Sequence, residues 1–230
     1  MEPVVVIEDG TGRDTDALRW ATTYAQLIDT GLEIHSPHDD FRAQLVVVGY
    51  RGHSNSPLGL GDHVLPLLAK ARCDTVVVRG TPSAVGAEHR RITVLVSGGT
   101  GDDHVLQRAV DFARRLGTSL RVLHAAPVPP VGTGTEVDHS DVLARATAAL
   151  GGMPHSAVLV RVQPHEAIAH CIDTDLIVVG SGESHENGAV TRAALHHAPC
   201  PVLVVHQPVL EEVHGHDAIP APRRSVRTEA

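Results

Sequence analysis

Two short stretches of the sequence place glycines where a polypeptide chain can hold a phosphate group. The first contains Gly49, Gly52 and Gly61, and the second contains Gly180 and Gly188. Glycines let the backbone approach a phosphate closely, and the N–H groups at the start of a following helix favour an anion. The chemistry that these residues predict is therefore the binding of nucleotide phosphates.

Each glycine loop has a companion at the end of an earlier apolar stretch. Asp9 and Gly10 follow the stretch Val4–Glu8, and Ser97 follows Ile92–Val96. If these stretches are parallel strands, their carboxyl ends lie at the sheet edge where open α/β sheets bind ligands. We therefore expect Asp9 and Gly10 to accompany the first glycine loop, and Ser97 to accompany the second.

The two glycine loops belong to a duplicated segment, residues 45–79 and residues 176–206. In both copies 12 positions separate the last glycine from a cysteine, Cys73 or Cys200. The first and last glycines are 12 positions apart in the first copy but only 8 apart in the second. The second loop is therefore too short to wrap a triphosphate, and any nucleotide is expected in the first half.

The elements that must position these loops are alternating strands and helices. Continuous runs of Val, Ile and Leu predict the strands. Apolar residues at helical spacing predict a helix over Asp14–Ile28. Continuous apolar strands are typical of parallel sheets that helices cover on both faces. The predicted fold class is α/β, with two doubly wound, Rossmann-like parallel-sheet units in tandem.

The first unit is the shorter one. Leu18 and Leu106 are equivalent at an offset of 88, whereas Cys73 and Cys200 are equivalent at 127, so the first half lacks 39 residues. Almost the whole deficit follows Leu32–His35. In its place the second half is predicted to carry a helix near Asp141–Leu150, a strand over Ala157–Val162 and a short helix over Pro164–Cys171.

The short stretch Leu32–His35 poses a topological question. Only the ten residues Ser36–Leu45 separate it from the strand that begins at Val46, and a parallel crossover usually takes a dozen or more. We expect Leu32–His35 to stay outside the sheet, which leaves a three-stranded first half. The alternative is that it joins the sheet through an extended connection without a helix.

Composition excludes several classes of function. The formal net charge of −8 argues against nucleic-acid partners and against a membrane surface, since both need a basic face. The chain has no apolar run long enough to span a membrane. Its three cysteines are too few and odd in number for a disulfide framework, which favours a cytoplasmic location.

The sequence also indicates where domains begin and end. Residues 1–80 form the shortened first domain, residues 81–90 a linker rich in turn-forming residues, and residues 91–206 the full second domain. Residues 207–230 are polar, contain prolines and show no sustained periodicity, so we expect a disordered tail.

The ordered set of motifs resembles the universal stress protein family. It comprises Asp9-Gly10-Thr11 followed by Leu-Arg-Trp-Ala at 18–21, Val-Val-Gly-Tyr-Arg-Gly at 47–52, and Ala-Pro-Cys-Pro-Val at 198–202. The resemblance covers residues 4–206 with a gap in the first half, and the layout is similar to the two-domain members common in actinobacteria. It implies the adenine nucleotide α-hydrolase-like fold and a role in stress or dormancy response through binding and association.

The resemblance also implies a nucleotide motif, G-x2-G-x9-G-[S/T], with an Asp at the end of the first strand. In the first half Asp9 and the three glycines match, but the last spacing is one residue short and Asp62 replaces the hydroxyl. In the second half Ser97 replaces the Asp, Glu183 replaces the second glycine and Ala189 the hydroxyl. ATP is thus a candidate ligand of the first half only, through Asp9, Gly10, Gly49, Gly52 and Gly61, and the site at Ser97, Gly180 and Gly188 is degenerate.

Metal and catalytic sites are not expected. Among the seventeen histidines, His35 and His38 with Asp39 and Asp40, and a second group around His214 and His216, match no tetrahedral spacing. No catalytic triad, metalloprotease helix or Walker lysine is present, and the cysteines are expected to be packing residues. An enzyme, either a slow ATPase or a thiol-dependent one, remains a third hypothesis after a binding module and an ATP-binding module.

The resemblance further implies that such domains pair through their last strands. Here Val76–Arg79 and Val202–His206 are expected to pair within the chain and make an internal pseudo-dimer. The missing elements should leave apolar sheet surface in the first half, and we expect a second copy or a protein partner to cover it.

Overall fold

The computed structural model describes residues 2–8, 15–50, 64–127, 139–182 and 188–207. Within them, nine strands form one sheet: β1 (Val4–Ile7), β2 (Leu32–His35), β3 (Leu45–Gly49), β4 (Asp74–Val78), β5 (Arg91–Leu95), β6 (Ser119–Ala125), β7 (His155–Val160), β8 (Leu176–Gly180) and β9 (Val202–Val205). The helices of the same residues are α1 (Thr15–Leu27), α2 (Val64–Lys70), α3 (Pro82–Val85), α4 (Asp102–Leu116), α5 (Ser140–Ala149), α6 (Pro164–Ala169) and α7 (Ala189–His197).

The strand order in the sheet is β2-β1-β3-β4-β9-β8-β5-β6-β7. Every neighbouring pair runs parallel except β4 and β9, which run antiparallel. The sheet is thus two parallel units joined at one antiparallel seam. The predicted α/β class with doubly wound parallel sheets is confirmed.

The seam between β4 and β9 has an internal symmetry. Val76 lies opposite Leu203, and the flanking pairs are Thr75 with Val204 and Val77 with Val202. Val76 and Leu203 are 127 positions apart, the offset that relates Cys73 to Cys200. Equivalent residues therefore meet at the centre of the seam, and the two halves are related there by a local twofold axis.

One expectation about the first half was wrong. Leu32–His35 joins the sheet as β2, in parallel register with Val4–Ile7 of β1. The nine residues between β2 and β3 cross over β1, which requires about 10 Å sideways and about 10 Å back along the strands. Extended chain of that length reaches about 30 Å, so no crossover helix is needed. The first half has four strands, and the extended connection is the correct alternative.

Helices cover both faces of the sheet, and we name the faces by them. Face A is packed by α1, α4 and α5, and face B by α2, α6 and α7. The first half contributes one of the three helices on each face, and the second half contributes two. On face B of the first half, Phe41 and Ala43 from the connection between β2 and β3 pack into the layer beside α2. The predicted linker, residues 81–90, contains α3, whose first turn is capped by Thr81.

On face A the two halves meet through a column of stacked side chains. The Tyr24 ring of α1 stacks on the Phe112 ring of α4 with centroids 5.1 Å apart and planes 9° from parallel. Tyr24 and Phe112 are 88 positions apart, the offset of Leu18 and Leu106, so they are equivalent residues. Trp20 stacks on the outer side of Tyr24 at 5.3 Å, and the Arg108 guanidinium lies 5.7 Å from the centroid of Phe112. The column therefore has the same local twofold symmetry as the seam.

On face B each half bonds to the other half's helix. The Arg79 guanidinium donates to the carbonyl of Leu195 in α7. In the equivalent contact, His206 Nε2 donates to the carbonyl of Leu68 in α2 at 2.9 Å. On each face of the sheet, one hydrophobic cluster thus extends across both halves. None of the helices in the described ranges is long and apolar enough to cross a membrane.

Candidate functional site

The second half brings its predicted site residues together at the carboxyl edge of the sheet. Strand β5 has β6 on one side and β8 on the other, so the crossovers leave it in opposite directions. Such a reversal opens a crevice at the strand ends, and there doubly wound sheets bind ligands. Ser97 follows β5, Gly180 ends β8, and Gly188 precedes α7. In the first half Gly49 lies in β3, whereas Asp9, Gly10, Gly52 and Gly61 lie outside the described residues.

The turn after β5 holds a carboxylate of the chain itself. The backbone N–H of Ser97 donates to both oxygens of Asp102, at 3.2 and 3.0 Å, and the N–H of Gly98 donates to Oδ2 at 2.7 Å. The Ser97 hydroxyl adds a bond of 3.2 Å to Oδ1. Asp102 is the first residue of α4 and is exposed to solvent only in part. The N–H groups that point into the crevice at this turn therefore already have an anionic acceptor.

Helix α5 closes the same turn from face A. Gly98 has φ +90°, and a Cβ there would lie 3.1 Å from Val142 Cγ2. The Arg145 guanidinium donates to the Gly98 carbonyl at 3.1 Å. Glycine is thus required at position 98 both by backbone conformation and by the approach of α5.

The two described ends of the second glycine loop, Gly180–Gly182 and Gly188, lie close together. The Thr191 hydroxyl donates to the Gly180 carbonyl at 2.5 Å, and the Gly188 N–H contacts the Ser181 carbonyl at 3.4 Å. A Cβ on Gly188 would lie 3.8 Å from the Cα atom of Gly182, which itself has φ +93°. The ends of the loop therefore approach each other at van der Waals distance in front of the first turn of α7.

A buried histidine, His124, contacts a half-buried one, His139, beside the β5 turn. His124, at the end of β6, is 3% exposed, and its Nδ1 is 2.8 Å from the Val96 carbonyl oxygen. Because a carbonyl only accepts, Nδ1 carries the proton, and the other nitrogen lies 3.0 Å from Nδ1 of His139. This arrangement accounts for His124 as a satisfied core residue that ties β6 to β5 and to the residue before α5.

The described edge of the first half differs from that of the second in its side chains. Tyr50 N–H donates to the Val78 carbonyl at 2.8 Å, which repeats the bond from Ser181 N–H to the Val205 carbonyl at 2.9 Å. The backbone frame is therefore the same. In the first half the Arg79 guanidinium lies 4.3 Å above the Tyr50 ring, and burial lowers the pKa of Arg79. Ser181 and His206 stand at these two places in the second half.

The three cysteines are free, and their surroundings do not activate a thiolate. Burial raises the pKa of the Cys73 thiol to about 11, with a further contribution from the negative charge of Asp74. Burial also raises the pKa of Cys171 and of Cys200. A thiol is a nucleophile only as the thiolate, so all three are unreactive near neutral pH.

The histidine–aspartate group at residues 35–40 is held by bonds within the chain. His35 Nε2 is 3.0 Å from Glu33 Oε2, and Asp39 accepts a bond of 2.7 Å from the Ser36 N–H. Across the described ranges, no three His, Cys, Asp or Glu side chains are arranged to hold a metal ion. The second group, around His214 and His216, lies outside those ranges.

Sequence reasoning did not single out Asp102, Val142 or Arg145, although these residues shape the turn. A signal for Asp102 was present, since Asp14 stands 88 positions before it, at the offset of Leu18 and Leu106. No repeat marks Val142 and Arg145, because the first half has no counterpart of α5.

The fold and the crevice define a doubly wound α/β protein of the class that binds ligands at the carboxyl ends of its strands. The chain belongs to the universal stress protein family, whose family model matches residues 88–206. The matched residues are those of the second half.

Solved structures of similar fold are also universal stress proteins. One from Archaeoglobus fulgidus DSM 4304 aligns with a TM-score of 0.66 at 14% identity, covering 90% of this chain and 96% of that one. A putative universal stress protein from Pseudomonas aeruginosa aligns with a TM-score of 0.53 at 17% identity, covering 89% and 82%. A universal stress protein from Archaeoglobus fulgidus in complex with dAMP covers 50% of this chain and 96% of that one, with 24% identity and a TM-score of 0.41. Among curated proteins, no sequence matches the chain.

Proposed function

We propose that this universal stress protein acts in stress or dormancy response as a binding and regulatory module that has lost nucleotide binding in both halves. The observation that carries the proposal is the Asp102 carboxylate, which accepts the N–H groups of Ser97 and Gly98 at 2.7–3.2 Å. These groups lie where the family's nucleotide site is expected from the sequence. In this half an internal anion takes the donors that a ligand would use.

Electrostatics supports the proposal. A phosphate brought within about 4 Å of the carboxylate meets a repulsion on the order of 1 kcal/mol in water and several-fold more in a partly buried crevice. Displacing Asp102 instead would remove the bonds that it accepts from three donor groups, each worth about 1 kcal/mol or more when the acceptor is charged. The close approach of Gly182 to Gly188 adds a steric obstacle in front of α7.

The alternative function is ATP binding in the first half alone. It rests on Asp9, which keeps the family's acidic residue, and on the longer glycine loop with Gly49, Gly52 and Gly61. The Arg79 guanidinium at the same sheet edge favours this half for an anion, although its guanidinium is also bonded to Leu195. The Asp62 carboxylate opposes it.

Calorimetric titration with Mg·ATP separates these functions. The wild-type chain is compared with Gly52→Val in the first half and with Gly188→Val, its matched variant in the second half. The main proposal expects no saturable heat from any of the three proteins. A single binding site that is lost only in Gly52→Val would establish ATP binding in the first half. A binding site that survives Gly52→Val but is lost in Gly188→Val would lie in the second half and would refute both the main proposal and the alternative.

We further propose that the protein is not an enzyme. The three thiols, whose pKa values burial raises, and His124, whose two ring nitrogens both have partners, supply no nucleophile or free base in the described part of the chain. The expected result is no phosphate release from ATP above that of a matched blank, in wild type and in Cys73→Ala alike. Turnover that Cys73→Ala abolishes would contradict this proposal.

A further inference from the structure

The outer edge of the first half carries exposed apolar side chains. Strand β2 ends the strand order, and the described connection from β2 to β3 has no counterpart of α5. Two of the large apolar side chains with the highest exposure, Leu27 at 50% and Ile34 at 55%, lie at this edge. An edge strand with unpaired backbone groups and an exposed apolar side chain is a template for pairing with another chain.

The hydrogen bonds of β2 show which backbone groups face outward. Val4 N–H donates to the Gly31 carbonyl and Glu8 N–H to the His35 carbonyl, both at 2.9 Å, so the odd-numbered residues direct their groups toward β1. Alternate residues of a strand direct them to opposite sides. The N–H and C=O groups of Leu32 and Ile34 therefore point away from β1, and within the described part of the chain no strand lies on that side.

The side chains of β2 alternate in the same way. Leu32 packs into the layer of face A, which places Ile34 on face A and Glu33 and His35 on face B. Glu33 and His35 form an acid–imidazole pair, with Oε2 and Nε2 3.0 Å apart. The strand thus carries an apolar residue on one face, flanked on the other by two residues of complementary chemistry.

We propose that a second copy of this chain pairs with β2 through its own β2, antiparallel, with the twofold axis at Ile34. In this register Ile34 exchanges both backbone hydrogen bonds with Ile34 of the partner subunit, because its N–H and C=O already face outward. Glu33 then lies opposite His35 of the partner subunit, and His35 opposite the partner's Glu33. The two isoleucines meet on face A at the place that lacks a covering helix.

The sheet has two edge strands, β2 and β7, and the self-complementary sequence of β2 favours β2 as the site of pairing. Strand β7 at the opposite end, His155–Val160, has no acidic residue and so offers no such cross-strand pair. Helix α5 contacts β7, and Val158 and Val160 of β7 pack into the layer of face B. Paired β2 strands would also leave the seam at β4 and β9 untouched, so this association is additional to the contact between the halves.

The interface is small, so the test measures self-association over a range of concentrations. Sedimentation velocity on the full chain should show a concentration-dependent monomer–dimer equilibrium. Ile34→Lys, which places two ammonium groups at the axis, should weaken the dimer at least about tenfold. Two control variants should leave the dimerisation constant unchanged. They are Ile172→Lys, at the most exposed large apolar residue of the described second half, and Ala157→Lys on β7.

A charge exchange tests the register. Glu33→His places imidazole opposite imidazole and should weaken the dimer, whereas the double variant Glu33→His/His35→Glu restores the complementary pairs and should recover it. Ile34→Cys should form a disulfide across the axis on mild oxidation, since paired residues there have Cα atoms about 5.5 Å apart. Ile172→Cys is the matched control for the three native thiols, and Trp20 fluorescence checks that each variant is folded.

Four results would overturn the proposal. They are a wild-type protein that stays monomeric at all concentrations, equal weakening by Ala157→Lys and Ile34→Lys, a double variant no better than Glu33→His, and species heavier than a dimer. Species heavier than a dimer would indicate that β2 of one copy pairs head-to-tail with β7 of the next, which gives an open chain of subunits rather than a closed dimer.

Discussion

The two halves of the chain keep the same interior contact and differ at their outer sides. Equivalent residues meet at the seam, Val76 with Leu203, and in the stacked column, Tyr24 with Phe112. Away from this axis the second half carries α5, β7 and α6 between β6 and β8, whereas in the described residues of the first half a connecting segment without a helix leads from β2 to β3. A change in the contact between the halves affects both halves, because equivalent residues of the two halves pack against each other there. The outer strands and helices pack against one half only.

A second difference lies at the carboxyl edge of the sheet. The backbone bonds that place the two glycine loops are alike, from Tyr50 to Val78 and from Ser181 to Val205. The side chains at these positions differ between the halves. The first half has Tyr50 and Arg79, and the second half has Ser181 and His206 at the equivalent positions. The frame of a site can thus be retained for structural reasons while its ligand chemistry changes.

The largest expected effect is that of Phe112→Ala at the centre of the column. Removing a ring that is 1% exposed should lower the free energy of unfolding by about 3–5 kcal/mol. Tyr24→Phe keeps the stacked ring and should cost less than about 1 kcal/mol. In urea titrations, Trp20 fluorescence and far-ultraviolet circular dichroism should still coincide. Separate transitions would show that the halves are independent domains rather than parts of one core.

The next largest effect is expected from Asp74→Ala. Asp74 starts β4, is 6% exposed, and accepts bonds from Arg108 Nε at 2.5 Å and from the His206 N–H at 3.0 Å. Removing the carboxylate leaves the half-buried Arg108 guanidinium with the more distant Asp111 carboxylate at 3.7 Å, and leaves the His206 N–H without this acceptor, at a combined cost of about 3 kcal/mol. In a double-mutant cycle, Asp74→Ala/Arg108→Ala should cost less than the sum of its parts. Strict additivity in urea unfolding would contradict this link between the halves.

A smaller loss is expected from Gly80→Ala at the junction of the halves. Gly80 has φ +97°, and a Cβ there would overlap the carbonyl of Pro199. We expect a loss of about 2–3 kcal/mol in urea unfolding. Gly151→Ala is the matched control, because Gly151 also has positive φ but its Cβ would meet open space. Equal losses at the two positions would show that φ alone, and not the contact between halves, requires glycine at 80.

The smallest effect is expected at Asp173, on the exposed side of the second half. Partial burial acts in the opposite direction, but the bonds and charge of Arg121 and the charge of Arg91 hold the pKa of the Asp173 carboxyl below its ordinary 3.8. A depressed pKa contributes stability above pH 3.8 that is lost as the pH falls through the folded-state pKa.

Since Asp173 is 46% exposed, its substitution by Asn should cost less than about 1 kcal/mol near pH 7. The difference from wild type should vanish near pH 2, measured by urea unfolding at both pH values. A difference that grows in acid would contradict the assigned direction of the pKa shift.

The sequence predicted most of the fold because its signals are local or repeated. The helix expected over Asp14–Ile28 is α1, and the elements expected near residues 141–150, 157–162 and 164–171 are α5, β7 and α6. The repeat at offset 127 identified equivalent strands in the two halves, and the family resemblance implied that such last strands pair. Strand β2 was misjudged because crossover length is a tendency of helix-containing connections, and extended chain covers the same distance in fewer residues.

The candidate site was less predictable. Glycine positions mark where backbone approaches a ligand or another segment, and the sequence does not say which. At Gly98 the approaching group is Val142 of α5, and at Gly188 it is the backbone of Gly182. Asp102 reaches the N–H of Ser97 only because the turn between them brings its carboxylate back to Ser97. The spacing of the two residues in the sequence does not reveal that conformation.

The most direct test of the difference between the halves is an amide-resolved NMR titration of the full chain with Mg·ATP. We expect the N–H signals of Ser97, Gly98 and Gly188 to stay in place, because Asp102 accepts the first two N–H groups and the Ser181 carbonyl accepts the third. Saturable shifts of the Ser97 and Gly98 signals would show that nucleotide displaces the carboxylate, and would contradict the account.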